Sequence, residues 1–139
     1  MDANYGYFDP NSREYVITDP MTPEPWINYL HGSDKLNAFI SNGAGGTAWY
    51  DQPHTGRLTR YRLNGLPMDA PGFYLYIKDG ADIWNPSFFP AMRKLDFWEC
   101  RHGMGYTCFN SAKGEIKATI KYFIPKEDNG RRALSYKGK

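Results

Sequence analysis

Residues 115–124 place an apolar side chain at every second position, with mostly polar residues between them. The apolar positions are Ile116, Ala118, Ile120, Tyr122 and Ile124. Because successive side chains of a strand point to opposite faces, a period of two gives one apolar face and one polar face. The stretch therefore predicts a half-buried β-strand, which Pro125 ends.

The remainder of the chain also has the character of strands. Short runs rich in Tyr, Phe, Val, Ile and Thr lie between clusters of Gly, Pro, Asn and Asp, and no window of eleven residues has a helical period. The predicted strands are residues 5–8, 14–18, 26–30, 37–41, 47–50, 57–62, 73–78, 95–101, 105–110 and 115–124. Turn residues at His102-Gly103 and at 110–114 predict an antiparallel meander. The predicted fold class is all-β, an antiparallel β-sandwich.

Composition limits the partners of such a sandwich. Aromatic residues make up 17% of the 139 residues, and although their rings could stack on sugars, filling the core is the favoured interpretation. Positive and negative residues are interspersed and leave a net charge of +2. This balance argues against nucleic acid and against a membrane surface as partners. The proline-rich stretches 19–25 and 66–72 are interpreted as surface connections within one domain.

The first ten residues contain neither a basic n-region nor an apolar h-region, and no apolar run is long enough to span a bilayer. The sequence therefore predicts a soluble, cytoplasmic protein. Cys100 and Cys108 are then expected to be reduced strand or core residues and not a disulfide across a hairpin. His31, His54 and His102 share no metal-ligand spacing with one another or with the cysteines, so no metal site is predicted.

Four stretches occur in an order that carries a family resemblance. They are YGYFD at 5–9 with REYVITDP at 13–20, PWINYL at 25–30 leading through FISN to the glycines of 43–46, RLTRYR at 57–62, and LDF at 95–97 with ECRHGMGY at 99–106. In this order they resemble the N-terminal domain of family 94 glycoside phosphorylases of the cellobiose phosphorylase type. The resemblance implies an incomplete supersandwich over residues 1–129. Residues 130–139 form a basic tail that matches nothing expected of the family, which favours a frameshifted or prematurely terminated product.

The resemblance also implies an activity for the intact enzyme. Family members cleave a β-glucosidic bond with inorganic phosphate as co-substrate and invert the anomeric centre, releasing α-D-glucose 1-phosphate, with no further cofactor. The catalytic aspartate belongs to an (α/α) barrel domain downstream of this chain. The chain is thus expected to be a carbohydrate-associated part of a homodimeric enzyme on β-linked glucosides, inactive alone. Two alternatives stay open: a stand-alone carbohydrate-binding sandwich that uses Trp49, Trp84 or Trp98 for stacking, and a non-functional truncated product.

The best candidate site extends from the glycine-rich run 42–46 to the arginines that follow it. Its residues are Asn42, Trp49, Tyr50, Arg57, Arg60 and Arg62, and none of them is expected to be catalytic. Arg60 and Arg62 would share one face of a strand, so pairing with carboxylates of a neighbouring domain is favoured over direct sugar contact and over plain solvation. The run 42–46 leads into a strand and lacks the lysine of a phosphate-binding loop, which favours a wide turn.

Three further residues have expected structural roles. Trp26 is interpreted as an anchor that packs in the core. His102 is expected to shape a hairpin, with a catalytic role as the weaker alternative. Glu99, like the other candidate carboxylates, is expected to be a turn or surface group.

Overall fold

The computed structural model describes residues 4–32, 35–59 and 71–125, together with the backbone of 135–138. The strands, in chain order, are β1 (Gly6–Asp9), β2 (Glu14–Ile17), β3 (Ile27–His31), β4 (Leu36–Ser41), β5 (Gly46–Tyr50), β6 (Ile77–Asp79), β7 (Asp82–Trp84), β8 (Phe97–Gly103), β9 (Tyr106–Lys113), β10 (Ile116–Phe123) and β11 (Ser135–Gly138). All strand pairings are antiparallel, which confirms the predicted fold class. Within the described ranges, no helix has the length and apolar character needed to cross a membrane.

The largest sheet has six strands in the order β1-β2-β8-β9-β10-β11. Strands β8, β9 and β10 form the predicted meander, in which Ile120 pairs with Phe109 and Phe109 with Cys100. Ala118 and Ile120 are buried, and Thr119 between them is exposed. The alternation in residues 115–124 therefore marks a half-buried strand, as predicted.

The turn between β8 and β9 lies two residues later than predicted. Strand β8 continues through His102 and Gly103, and Gly103 pairs with Tyr106. The turn is made by Met104 and by Gly105, whose φ is 81°. Because glycine adopts a positive φ without steric cost, Gly105 is the residue that allows the chain to reverse here.

The three-stranded sheet β3-β4-β5 packs against the inner face of the six-stranded sheet. One apolar core lies between them, formed by Ile17, Leu30, Ala38, Ile40, Ala44, Ala48, Trp98, Cys100, Phe109, Ile120 and Tyr122. Removing this surface from water is the main favourable term in folding. Trp26 packs at the margin of the core, as expected for an anchor.

Two of the three tryptophans named in the stand-alone carbohydrate-binding alternative are buried. Trp84 is 1% exposed and Trp98 is 8% exposed. Trp98 has the same phase in β8 as Cys100, so its side chain must enter the core on the same face. These two rings therefore cannot supply the stacking surface that the stand-alone alternative requires.

Cys100 and Cys108 are free thiols on neighbouring strands. Cys100 pairs with Phe109, and Arg101 pairs with Cys108. The two sulfur atoms therefore lie on opposite faces of the sheet, a geometry that no disulfide can bridge without a change of register. Burial raises the pKa of the Cys100 thiol well above its ordinary value, which keeps it protonated.

The predicted strand 73–78 is shorter in the structure. Only β6 forms there, and it pairs with β7 in a two-stranded hairpin. The residues before it hydrogen-bond to the turn between β4 and β5: Phe73 N–H donates to Ala44 O at 2.9 Å, and Pro71 O accepts from Gly46 N–H at 3.0 Å. These bonds hold the segment in an irregular path.

The predicted strand 57–62 is only partly within the described residues. Its first residues run beside the end of β5, where Arg57 and Trp49 form an isolated bridge, and the remainder of 57–62 lies outside the described residues. In the tail, β11 pairs with β10. The boundary predicted at residue 129 stays a prediction.

Candidate functional site

The glycine-rich run between β4 and β5 is a wide turn, as predicted, and residues 41–46 are called the glycine turn below. Ser41 organises it: its Oγ accepts hydrogen bonds from Gly43 N–H at 3.3 Å and Gly45 N–H at 3.1 Å. Ala44 has φ 61°, a left-handed conformation that is uncommon for a residue with a side chain. The turn is therefore fixed by its own hydrogen bonds and is not an open anion-binding loop.

Asn42 ties the glycine turn to the segment before β3. Its Oδ1 accepts from Trp26 N–H at 3.0 Å, and its Nδ2 donates to Pro20 O at 3.2 Å and to Thr22 Oγ1 at 3.0 Å. The side chain is buried, with 3% exposure. All of these contacts are within the sandwich, so the geometry of Asn42 is that of a structural clamp.

A pocket opens beside the glycine turn, and we call it the glycine-turn pocket. Its volume is about 260 Å³. Its lining residues are Pro20, Thr22, Pro25, Ser41, Asn42, Gly43, Gly45, Pro71, Tyr74, Phe89 and Pro90. None of these described lining residues carries a formal charge. Burial, with a smaller contribution from Tyr76, raises the pKa of Tyr74, so its hydroxyl is a protonated hydrogen-bond donor.

Three of the other candidate residues, Trp49, Tyr50 and Arg57, lie at the opposite end of β5 from Asn42. The ring of Trp49 packs against Phe39, with centroids 6.4 Å apart. Arg57 is exposed, and its Nε donates to Pro53 O at 3.0 Å. Tyr50 ends β5, where its N–H donates to Gly56 O at 2.8 Å. The structure thus brings Trp49, Tyr50 and Arg57 together and separates them from Asn42.

Arg60 and Arg62 lie outside the described residues. Their predicted shared face, and its proposed pairing with another domain, stay predictions. Among the described residues, no group of three or more His, Cys, Asp or Glu side chains is placed to hold a metal ion.

A separate polar group covers the outer face of the six-stranded sheet. This outer-face cluster consists of Asp9, Glu14, Glu99, Arg101, Tyr106 and Asn110. Arg101 donates its Nε to Glu99 Oε1 at 2.7 Å and its Nη1 to Glu14 Oε2 at 3.0 Å. Glu99 also accepts from Asn110 Nδ2 at 2.8 Å. Glu99 is therefore a paired strand residue on the outer face of the sheet and not a turn residue, which corrects that part of the expectation.

The ionisation of the outer-face cluster follows from these contacts. Burial alone would raise the pKa of Glu14, but hydrogen bonds from Tyr106 and Arg101 outweigh it and hold that pKa below its usual value. The bond to Glu14 raises the pKa of Tyr106 to about 12. A carboxylate held ionised by an arginine is suited to joining strands and not to donating a proton. The cluster is therefore interpreted as a structural ion-pair network.

His102 links the two sheets. Its Nε2 donates to Trp26 O at 3.0 Å, because a carbonyl can only accept, and its Nδ1 therefore accepts from Thr107 Oγ1 at 3.0 Å. Burial lowers the pKa of His102 below its usual value, which favours the neutral ring that these two bonds require. With both ring nitrogens engaged inside the sandwich, His102 has a structural role.

Sequence reasoning did not identify Ser41, Tyr74 and Phe89, which bound the glycine-turn pocket with Pro71. Their positions belong to no common period, since they come from a strand end and from two parts of an irregular connection. The one available signal was the clustering of Pro71, Gly72, Phe73 and Tyr74 next to a proline-rich stretch. Such composition indicates a surface connection but not what it packs against.

Comparison with known proteins identifies relatives over most of the chain. Residues 13–133 match the family described as "Glycosyl hydrolase 94, supersandwich domain". The N,N'-diacetylchitobiose phosphorylase of Vibrio furnissii is 42% identical over 131 residues, which are 91% of this chain and 16% of that protein. The solabiose phosphorylase of Paenibacillus borealis is 33% identical over 135 residues, 91% of this chain and 17% of that protein. The 3-O-beta-D-glucopyranosyl-beta-D-glucuronide phosphorylase of the same species is 35% identical over 125 residues, 88% of this chain and 15% of that protein. The chain thus spans only 15–17% of the length of these relatives.

Proposed function

Because the chain belongs to the glycosyl hydrolase 94 supersandwich family, we propose that it forms the N-terminal sandwich of an inverting disaccharide phosphorylase. The observation that carries this proposal is the match of residues 13–133 to the family. The names of two relatives from different bacterial genera support it, since both are named as phosphorylases, one of N,N'-diacetylchitobiose and one of solabiose. The reaction would transfer a glycosyl group from a β-linked sugar to inorganic phosphate.

The disaccharide is proposed from the same relatives. Cellobiose is the substrate that the sequence resemblance implies. Two relatives, at 42% and 41% identity, are named N,N'-diacetylchitobiose phosphorylases. We therefore expect a β-linked disaccharide, and N,N'-diacetylchitobiose and cellobiose are the first two to compare.

The proposed reaction needs a catalytic acid, and we place that acid outside this sandwich, in the rest of the enzyme. Inverting hydrolysis needs a general acid and a base that activates water, whereas phosphate is already an anionic nucleophile, so one acid suffices. Asp9, Glu14 and Glu99, the carboxylates of the outer-face cluster, are engaged by Arg101. The sandwich is thus proposed to support a catalytic barrel, and the chain alone is proposed to be inactive.

Trp49, Tyr50 and Arg57 are the residues proposed to face that barrel or the sugar. They lie together at the end of β5, and the exposed guanidinium of Arg57 offers donors that suit carboxylates or hydroxyl groups. Arg60 and Arg62 are proposed to extend this surface. A cytoplasmic location and a homodimer of the whole enzyme complete the proposal.

A domain exchange tests the proposed function. This chain replaces its matched segment in the Vibrio furnissii relative, and phosphate-dependent release of sugar 1-phosphate is measured for the hybrid and for the 139-residue chain alone. We expect turnover by the hybrid and none by the chain. A hybrid that folds but does not turn over, or turnover by the chain alone, would contradict the proposal.

Two arginine variants in the hybrid test the proposed barrel contact. Arg57→Ala is expected to lower the stability of the hybrid by about 1.5–3 kcal/mol, the range for a hydrogen bond to a charged group. Arg93→Ala is the matched control, because Arg93 is also an exposed arginine with a contact inside this chain, to Asp82, and is not among the residues proposed to face the barrel. Equal losses of stability for the two variants would contradict the proposal that Arg57 contacts the barrel.

The stand-alone carbohydrate-binding alternative has less support. Of its three tryptophans, Trp84 and Trp98 are buried, and Trp49 packs on Phe39 at a tilt of 56°. Saturable quenching of tryptophan fluorescence by soluble β-glucans would favour this alternative.

A further inference from the structure

Three oxygen atoms converge inside the glycine-turn pocket. A β-carbon built on Gly45 would lie 3.2 Å from Ser41 Oγ, 3.7 Å from Pro71 O and 3.7 Å from Tyr74 Oη. Gly45 has no such carbon, so the oxygens surround a space that is open to the pocket. They form one polar point in a lining that is otherwise largely apolar.

Two of these oxygens have hydrogen-bonding capacity that the described residues do not use. Ser41 is 7% exposed, and its Oγ accepts two N–H bonds while its own proton has no acceptor in the described part of the chain. The hydroxyl of Tyr74 likewise has no hydrogen-bond partner among the described residues. A buried hydroxyl such as that of Ser41 normally has partners for both roles, and the half-buried Tyr74 adds a second hydroxyl beside it. This point is therefore suited to receiving a polar atom from outside.

The walls of the pocket are apolar and suit the carbon atoms of a ligand whose polar atom binds at this point. The ring of Phe89 lies so close to Gly43 that an added β-carbon would be 2.6 Å from its Cδ2. Pro20, Pro25, Pro71 and Pro90 supply further apolar surface. An aromatic ring beside apolar carbons, with a few placed hydroxyls, is the usual construction of a site for a small organic ligand.

Size and charge narrow the class of ligand. The volume of about 260 Å³ is below the range of roughly 300–1,000 Å³ for pockets that hold drug-sized molecules. This favours one ring over two. The described lining is uncharged, so an anion such as phosphate would be desolvated without a compensating charge.

We propose that the glycine-turn pocket binds one neutral hydroxylated ring, such as a single pyranose unit, with a ring hydroxyl at the point between Ser41, Pro71 and Tyr74. The apolar face of the ring would lie against Phe89 and the prolines. Such a site would belong to the sandwich itself. It does not depend on the phosphorylase function proposed above, because all of its atoms lie in this chain.

The test is a titration of the ¹⁵N-labelled 139-residue chain with methyl β-D-glucopyranoside and with methyl N-acetyl-β-D-glucosaminide at millimolar concentrations. Saturable shifts are expected for the amides of Gly43, Gly45 and Gly72. The amides of Gly105 and Gly114, in hairpin turns that do not line the pocket, are the internal controls. Shifts at the control glycines alone, or no saturable shift with either sugar, would overturn the proposal.

Two tyrosine variants assign the binding to this pocket. Tyr74→Phe keeps the ring and removes a hydroxyl without a partner in the described chain, so the fold should be retained and binding should weaken about fivefold, as for one lost hydrogen bond. Tyr76→Phe is the matched control, since Tyr76 is 54% exposed and does not line the pocket. Equal affinities for the two variants would overturn the proposal.

A third variant fills the space between the oxygens of Ser41, Pro71 and Tyr74. Gly45→Ala places a methyl group 3.2 Å from Ser41 Oγ, a contact that small movements can relieve, and should abolish binding while the chain stays folded. Inorganic phosphate is the charge control. Phosphate that shifts Gly43 and Gly45 as strongly as the sugars would contradict a neutral site, and unchanged sugar binding by Gly45→Ala would contradict the location.

Discussion

The meander β8–β10 and the irregular region around the glycine turn are held in different ways. In the meander, ladders seven and eight residues long fix the chain, and side chains alternate between core and outer face. In the irregular region, from residue 71 to residue 96, the one ladder is the three-residue pairing of β6 with β7. Elsewhere in this region, hydrogen bonds from single buried polar side chains to the backbone fix the path of the chain. Backbone pairing specifies the first region, and individual side chains specify the second.

Asn85 shows how the irregular region is fixed. It is 1% exposed, its Nδ2 donates to Leu75 O at 2.7 Å, and its Oδ1 accepts from Ala91 N–H at 2.8 Å. One amide thus satisfies two backbone groups that no strand pairs. Because buried backbone groups must find partners, the path of this connection depends on that amide.

The largest expected effect on stability comes from replacing one asparagine with alanine in each region. Asn85→Ala should lower the free energy of unfolding by about 2–4 kcal/mol, since two partly buried backbone groups lose their partners. Asn110→Ala in the meander removes contacts to Glu99, Thr119 and Cys108, which are side chains of the half-exposed outer face. Its loss should be about 1 kcal/mol, below the usual range for a hydrogen bond to a charged group, because Glu99 keeps both of its bonds to Arg101. Urea unfolding of both variants measures the difference, and equal losses would remove the contrast between the regions.

The second effect is a dependence on pH at His102, which joins the meander to the segment before β3 through Trp26 O. Burial holds the pKa of His102 below 6.5, so the unfolded chain binds a proton more readily than the folded chain. Stability is therefore complete above the unfolded pKa and falls as the pH is lowered from about 6.5 towards the folded pKa. Denaturant unfolding between pH 7.5 and pH 5 measures this slope.

The control for this pH effect is His102→Gln, which keeps a donor and an acceptor but does not titrate. The pKa of Glu14 is lowered below its ordinary value of 4.5, so this carboxylate does not contribute in the window from pH 6.5 to 5. A variant with the same slope as the parent chain would show that another group is responsible.

The smallest effect is expected from one Ser→Ala change in each region, and the signs should differ. Ser87 Oγ donates to Phe89 O at 2.9 Å in the irregular region, so Ser87→Ala should cost about 1 kcal/mol. Ser111 Oγ in the meander is buried and has no partner in the described chain. Ser111→Ala should therefore leave the free energy of unfolding unchanged or raise it by up to about 1 kcal/mol. A loss at Ser111 as large as that at Ser87 would contradict this assignment.

What could be predicted from the sequence follows the same division. The period of two identified β10 within one residue at each end, because alternation reports burial directly. It left two interpretations of Trp98 open, core filling and sugar stacking, and the structure places the ring in the core. The partners of Glu14 and Glu99 were also missed, because they depend on which strands are neighbours in the sheet, and no local pattern contains that information.

The candidate site was predictable only in part. The glycine-rich run was recognised as a wide turn, since Gly, Ala and Asn at these positions favour backbone conformations that other residues avoid. Tyr74 and Phe89 were not recognised as its neighbours. Their approach to the turn depends on Gly43 and Gly72, where the absence of a side chain admits a ring, and this is a property of three-dimensional packing.

The carbonyl of Trp26 accepts both His102 Nε2–H at 3.0 Å and Asn42 N–H at 2.9 Å. One main-chain oxygen thus connects a strand of the larger sheet with the turn of the smaller one. Since every residue type carries this oxygen, the connection is independent of the side chain at position 26. A substitution at position 26 can therefore keep both hydrogen bonds to this oxygen. A deletion or insertion between residues 20 and 26 would instead move the oxygen away from His102 and Asn42.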